Sequence, residues 1–302
     1  MNLRTTFVAA ALAATALLSG CSAAAEGPAP APATTRAYAD VNGLHMYYEM
    51  YGTATAQPPL VLLHGALSGI GTDFGQLIPE LSKTRQVIAI EQQAHGRTAD
   101  IDRPLRTPQM AEDTVALLHQ LGVQRADIFG YSMGAGVALE ISLKHPELVR
   151  KQVLAAGGLD ADAMHPGLLD GLAELRPDML HSSPFYTDYM KNAPHPEDFP
   201  RLVARVKDHD QNALPTFAAA AVRRITAPTL TVIGDSDIIR PEHAVEMFRL
   251  FGGGIMGDTP AGLPNAQLAI LPGTSHVTLV HRPELLLPII PAFLDAPAEG
   301  VR

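Results

Sequence analysis

The chain has 302 residues, 47% of them apolar and 18% charged, with a net charge of −9. That length and apolar content suit a large buried core, and an acidic balance without any basic run excludes a nucleic-acid-binding protein. No apolar stretch in the body of the chain is long enough to cross a bilayer.

The N-terminus departs from this pattern. Met1-Asn2-Leu3-Arg4 carries a positive charge, and residues 7–18 are apolar and Ala-rich, with Thr15 the one polar residue. These are the n-region and h-region of a secretory signal. Leu18-Ser19-Gly20-Cys21 then resembles the lipobox of bacterial lipoproteins, in which the Cys is lipidated and becomes the first residue after cleavage. Cys21 is the only cysteine, so no disulfide forms within one chain. The expectation is a lipid-anchored protein of the bacterial cell envelope. Ser22, unlike the Asp that retains many lipoproteins in the inner membrane, favours the outer membrane. Cleavage after Ala23-Ala24-Ala25 would instead give a secreted or periplasmic protein. Residues 1–21 are thus read as signal and lipobox and 22–36 as a disordered Ala/Pro tether. A hydrolytic domain is expected over 37–296.

Alternating residues predict strands over 36–41 and 44–51 with Asn42-Gly43 as the hairpin turn. Leu60-Val61-Leu62-Leu63 is wholly apolar, a strand covered on both faces, and it ends in His64-Gly65. A helix near Leu77 and Leu81 and a strand over 86–91 follow. Apolar residues at helical spacing mark 110–121, with Gly122 as the stop. Further strands are predicted at 126–131, 151–156, 229–234 and 267–271, and a helix at 283–294. Strands alternating with helices imply an α/β fold with a mostly parallel central sheet flanked by helices.

Two features carry chemistry or shape a site. Gly130-Tyr131-Ser132-Met133-Gly134 stands between a strand and a helix, the context of a nucleophile elbow. The turn is so tight that bulk at either Gly would collide with neighbouring backbone. The segment 159–222 contains helical patches, many Pro and His, and no strand, as expected of a helical cap over an active site. Met164, Leu168, Leu172, Met179, Phe185, Tyr186, Tyr189, Met190, Phe199 and Phe217 are its candidate pocket residues, most of them expected to serve the cap's own packing.

A Ser hydroxyl needs a base, a carboxylate that orients the base, and donors for the oxyanion. Gly234-Asp235-Ser236-Asp237 follows a predicted strand, and either Asp could be the acid. Asp235 sits where an Asp commonly closes a turn; Asp237 lies further into the loop and is preferred. His276 follows the last strand and is the expected base, whereas His281 reads as a helix-start residue. The backbone N–H groups of Met133 and Ala66 are the expected oxyanion donors, and His64 is expected to brace its loop without proton chemistry.

With these motifs and His95-Gly96-Arg97-Thr98, the chain resembles the α/β-hydrolase superfamily, in its branch of small bacterial esterases, perhydrolases and haloperoxidase-like hydrolases. The resemblance implies Ser132 as nucleophile, Asp237 as acid, His276 as base, and Ala66 and Met133 as oxyanion donors. Relatives usually carry Asp where this chain has Glu91, and many carry a Trp in the oxyanion loop, whereas this chain has none. No metal or nucleotide spacing is present, so no cofactor is expected. The expected activity is hydrolysis of a carboxylic ester, thioester or lactone, a small-molecule acyl substrate. Acyl transfer, perhydrolysis or carbon–carbon bond hydrolysis by the same triad is the alternative, and a non-catalytic envelope binding protein the remaining one.

Overall fold

The computed structural model describes residues 35–260 and 262–297; the expected signal, lipobox and most of the tether lie outside the described residues. β1 (Thr35–Val41) and β2 (Leu44–Tyr51) form the expected hairpin. Its Asn42 and Gly43 both hold positive φ, 49° and 81°, the backbone a two-residue hairpin turn demands. The strand expected over 36–41 begins one residue earlier, at Thr35.

Six further strands complete one sheet: β3 (Leu60–Leu63), β4 (Val87–Ile90), β5 (Ala126–Tyr131), β6 (Val149–Ala155), β7 (Thr229–Ser236) and β8 (Ala266–Ser275). Their order is β1-β2-β4-β3-β5-β6-β7-β8. β2 runs antiparallel to β1 and β4, and every pairing from β4 to β8 is parallel. Parallel neighbours require crossovers, and these carry the helices that cover both faces. Side chains alternate accordingly. Val61 and Leu63 of β3 and Ile128 of β5 enter one core, with α3 (Thr107–Gln120), α4 (Met133–Lys144) and α9 (Pro241–Leu250). Leu60 and Leu62 of β3 and Phe129 and Tyr131 of β5 enter the other, with α1 (Ile70–Phe74), α2 (Ile78–Leu81), α10 (Pro283–Leu286) and α11 (Ile290–Asp295).

The single helix expected over 283–294 is two short helices. Pro288 stands between them, and its missing N–H removes a bond that a continuous helix would need. β8 runs four residues past its expected end, which puts His276 directly after the last strand.

At the N-terminal ends of the strands a charged cluster is closed on itself. Buried Asp127 accepts from Arg85 Nη1 at 2.8 Å and from Arg150 Nε at 2.8 Å, and Arg85 also pairs with Asp295. Buried Lys151 donates to the carbonyls of Phe293 and Ala296 at 2.7 and 2.6 Å, satisfying acceptors at the end of α11.

The segment after β6 is the expected helical cap. Among the described residues it holds α5 (Leu168–Ala173), α6 (Pro184–Asn192), α7 (Phe199–Asn212), α8 (Ala219–Val222), three short 3₁₀ turns and no strand. Tyr189, Phe199, Leu202, Val203 and Val206 form a core of their own with Leu67, Ala94 and Leu105 of the loops below. The cap is thereby seated on the C-terminal edge of the sheet.

Candidate active site

β5 ends at Tyr131 and α4 begins at Met133, so Ser132 alone makes the turn. It holds φ 54° and ψ −117°, a strained conformation for a residue with a side chain. The two flanking glycines explain how so tight a turn fits. A Cβ on Gly130 would sit 2.2 Å from the carbonyl oxygen of Gly134, and one on Gly134 would sit 2.1 Å from that of Leu63. The Ser132 N–H donates to Ala155 O at 2.8 Å, fixing the turn to β6.

His276 and Asp237 meet Ser132 at this edge. His276 Nδ1 lies 2.8 Å from Asp237 Oδ1, and His276 Nε2 lies 3.0 Å from Ser132 Oγ. A carboxylate only accepts, so Nδ1–H is the donor to Asp237. In the neutral ring Nε2 is then the acceptor for the Ser132 hydroxyl. Asp237 also accepts from the N–H groups of Ile239 at 3.1 Å and Gly234 at 3.3 Å. Burial pushes the Asp237 carboxyl up, but His276 and these hydrogen bonds outweigh it and hold the group below the ordinary Asp range. Asp235 points elsewhere: its two oxygens accept from Gly273 N–H at 2.9 Å and Thr274 N–H at 3.2 Å. Those bonds clamp the strand that delivers His276 and lower the Asp235 pKa.

The loop after β3 supplies the other side. Among the described residues, neither the Ala66 nor the Met133 N–H has a partner. The loop is held from three directions. His64 Nε2 accepts from Gln92 N–H at 3.0 Å, and His64 Nδ1 donates to Gly65 O at 2.7 Å. Burial lowers the His64 pKa to about 4, so this ring is a neutral brace. Asp73 Oδ2 accepts from Gly65 N–H at 2.8 Å and from Ser68 Oγ at 2.5 Å. Leu67, at φ 65°, turns the chain between them. Glu91, where relatives were expected to carry Asp, is buried; it accepts from Arg97 Nη1 at 2.8 Å, and Arg97 Nη2 donates to Asn192 of the cap at 3.0 Å. Burial lifts Glu91 to about 7 against the pull of Arg97.

A cavity of about 100 Å³ opens on Ser132, His276, Ala66 and Met133. The cap closes its far side. Of the ten cap residues expected as candidates, Met164 and Leu172 line it. Tyr189 and Phe199 are buried in the cap's own core, Phe217 is buried against the sheet, and Met179 is exposed. A larger and more open cleft of about 500 Å³ lies between Asp100–Asp102 and α7, lined by paired Asp and Arg side chains, and contains no nucleophile.

Sequence reading missed several residues of the site. The Tyr131 hydroxyl donates to the His276 carbonyl at 2.8 Å, holding the His276 backbone in place. Thr107, Asp160, His209 and Asp210 line the cavity. His209 Nδ1 lies 2.8 Å from Asp210 Oδ1, and its Nε2 lies 2.9 Å from Thr107 Oγ1. No periodicity or motif marks these residues; they meet only because the cap folds back over the start of α3.

A model of the α/β-hydrolase fold family matches residues 58–283. "Putative carbamate hydrolase RutD" of Pseudomonas savastanoi pv. phaseolicola is 26% identical over 274 residues, 83% of this chain and 98% of that protein. Among solved structures, Est816, described as an N-acyl homoserine lactone degrading enzyme, superposes with a TM-score of 0.65 at 23% identity, over 86% of this chain and 100% of its own. The enol-lactonase of Burkholderia xenovorans LB400 does so with a TM-score of 0.63 at 18% identity, over 86% of this chain and 100% of its own. At these identities the two structures establish likeness of fold.

Proposed function

The chain is a hydrolase of the α/β-hydrolase fold family, and from that premise we propose that it cleaves a small carboxylic ester, thioester or lactone through an acyl-Ser132 intermediate. The observation that carries this reading is the hydrogen-bonded chain Ser132–His276–Asp237, built on a serine held at φ 54°. Ser132 Oγ attacks the acyl carbon while its proton passes to His276 Nε2. Asp237 keeps the imidazole in the tautomer that accepts there and stabilises the imidazolium that forms. The carbonyl oxygen gains negative charge and takes hydrogen bonds from the Ala66 and Met133 N–H groups. Met133 adds the positive end of the α4 dipole. His276 then returns the proton to the departing oxygen or sulfur. Water, deprotonated by His276, attacks the acyl-Ser132 carbonyl; the Ser132 Oγ–acyl bond breaks as His276 returns that proton to Oγ, and the acid is released.

Lactone and carbamate chemistry in the names of similar proteins is compatible with this route, since each proceeds by attack on an acyl carbon. The cavity of about 100 Å³ favours short substrates, because sites for drug-sized ligands are several times larger. The sequence of the leader supports a lipid anchor at Cys21 on the cell envelope, where Cys21→Ser would abolish metabolic labelling with palmitate. The test of the activity is a fluorophosphonate probe. It should label the protein at Ser132, and Ser132→Ala should lose both label and turnover; label that persists in the variant contradicts the assignment.

A further inference from the structure

The cavity at Ser132 is lined by two kinds of side chain. Met133, Met164, Leu172, Leu214, Ile238 and Ile239 are apolar. Asp160, Asp210, Thr107 and His209 are polar, and among the described residues no Lys or Arg lines the cavity. Thr107 and His209 are already engaged with each other, and His209 with Asp210. The carboxylate of Asp210 accepts from His209 Nδ1–H, and in the neutral ring Nε2 accepts a hydrogen bond from the Thr107 hydroxyl. With His209 so engaged, the two carboxylates are the groups left to meet a substrate.

Asp160 sharpens the point. It opens a 3₁₀ turn, Ala161–Ala163, yet its side chain caps nothing. Its Oδ1 is buried without a hydrogen-bond partner among the described residues. A buried carboxylate oxygen left unmatched is costly; Oδ1 itself has no surface open to the cavity, so a proton-bearing substrate group would meet the Asp160 carboxylate where the residue lines the cavity. An anionic group would meet two carboxylates and, among the described residues, no lining Lys or Arg, in a cavity partly shielded from water, where such repulsion is strong. The net charge of −9 adds a field that favours cations and repels anions.

We propose that Asp160 and Asp210 are specificity residues that select substrates carrying a protonated amine within a few bonds of the scissile ester and reject substrates carrying a carboxylate there. The proposal rests on the reading of Ser132 as the acylated nucleophile. It concerns which ester is preferred, so a neutral ester serves as the internal reference for that reading.

The test uses isosteres that differ only in charge. On the alcohol side these are 2-(dimethylamino)ethyl acetate, 3-methylbutyl acetate and 3-acetoxypropanoate. On the acyl side they are methyl 3-(dimethylamino)propanoate, methyl 4-methylpentanoate and monomethyl succinate. The expected result is a kcat/KM for the ammonium ester at least about ten-fold above its neutral isostere on one of the two sides, a factor that corresponds to about 1.4 kcal/mol. The carboxylate ester should fall at least ten-fold below the neutral one on both sides. Asp160→Asn and Asp210→Asn should each bring the ammonium-to-neutral ratio down towards one, and acetylcholine, a cation without an N–H, should be a poorer substrate than its dimethylamino counterpart. Equal rates for the ammonium and neutral members on both sides would overturn the proposal, as would a wild-type preference that survives both substitutions. In either case hydrolysis of the neutral esters, lost in Ser132→Ala, would leave the hydrolase reading standing. Failure of every ester together with absence of fluorophosphonate labelling would instead remove the reading on which the proposal rests.

Discussion

The two ends of the parallel strands treat polar groups in opposite ways. At the N-terminal end, Asp127 is surrounded by Arg85 and Arg150, and Lys151 is bound to two carbonyls. Each charge there has its partners, and none of Arg85, Asp127, Arg150 and Lys151 holds a positive φ. At the C-terminal end, Leu67, Ala94, Ser132 and Ala156 all hold positive φ. Among the described residues the Ala66 and Met133 N–H groups have no partner, and Asp160 Oδ1 is unmatched. The difference shows where stability is built and where it is surrendered. Partners at one end are supplied by the protein; at the other, on the proposed function, they are left for a substrate and its transition state.

The largest effects should come from the C-terminal edge and fall on rate. Ser132→Ala should lower turnover by a factor of roughly 10⁴ or more with little change in melting temperature. Asp237→Asn should cost a comparable factor, because the amide would present the wrong hydrogen-bonding partner to His276 Nδ1. Asp235→Asn should retain most of the rate and reduce stability, since its bonds run to Gly273 and Thr274. Steady-state kinetics on the pair with one short ester decides between the two acids; a larger rate loss in the Asp235 variant would reverse the roles.

The other edge should behave in the complementary way. Asp127→Ala leaves buried Arg85 and half-buried Arg150 without their shared carboxylate, a loss expected to be about 3–5 kcal/mol. Denaturant unfolding should record it, while kcat of the folded fraction stays near wild type. A variant of unchanged stability and impaired kcat would break the contrast.

A smaller, pH-dependent effect is expected at Glu91. Burial outweighs Arg97 and raises its pKa to about 7 from the model-compound value of 4.5. A carboxyl whose pKa is raised on folding contributes stability that is complete below its unfolded pKa and is lost as pH rises through the folded one. The difference in unfolding free energy between wild type and Glu91→Gln, read by denaturant unfolding, should therefore shift against wild type from pH 5 to pH 8, by an amount on the order of 3 kcal/mol at most. A difference that is flat across that range would show that Arg97 offsets the burial in full.

What was legible in the sequence was what a short segment determines by itself. The elbow, the hairpin at Asn42-Gly43, the apolar β3 run and the strand before the acid loop are each local patterns, and all appear in the structure. Pro288 was equally visible, yet the apolar spacing over 283–294 suggested one helix and hid the break. The acid could not be fixed from its loop alone, because the choice depends on reach across to His276. Tyr131 bonds a carbonyl 145 positions away, and Thr107 meets His209 from 102 positions away; neither contact leaves a mark in either segment. The cap's aromatic residues were ambiguous for the same reason. Apolar character says that a side chain is covered, and only the fold says whether protein or substrate covers it.

The central claim is covalent: the acyl group passes through Ser132 Oγ. The direct measurement is intact-protein mass spectrometry on samples quenched in acid during turnover of p-nitrophenyl acetate, with peptide mapping of any modified species. The account predicts a transient protein heavier by one acetyl group, mapped to Ser132, that forms with the burst of nitrophenol and is absent from Ser132→Ala. An acetyl group mapped to another residue, or burst kinetics that persist in Ser132→Ala, would contradict it.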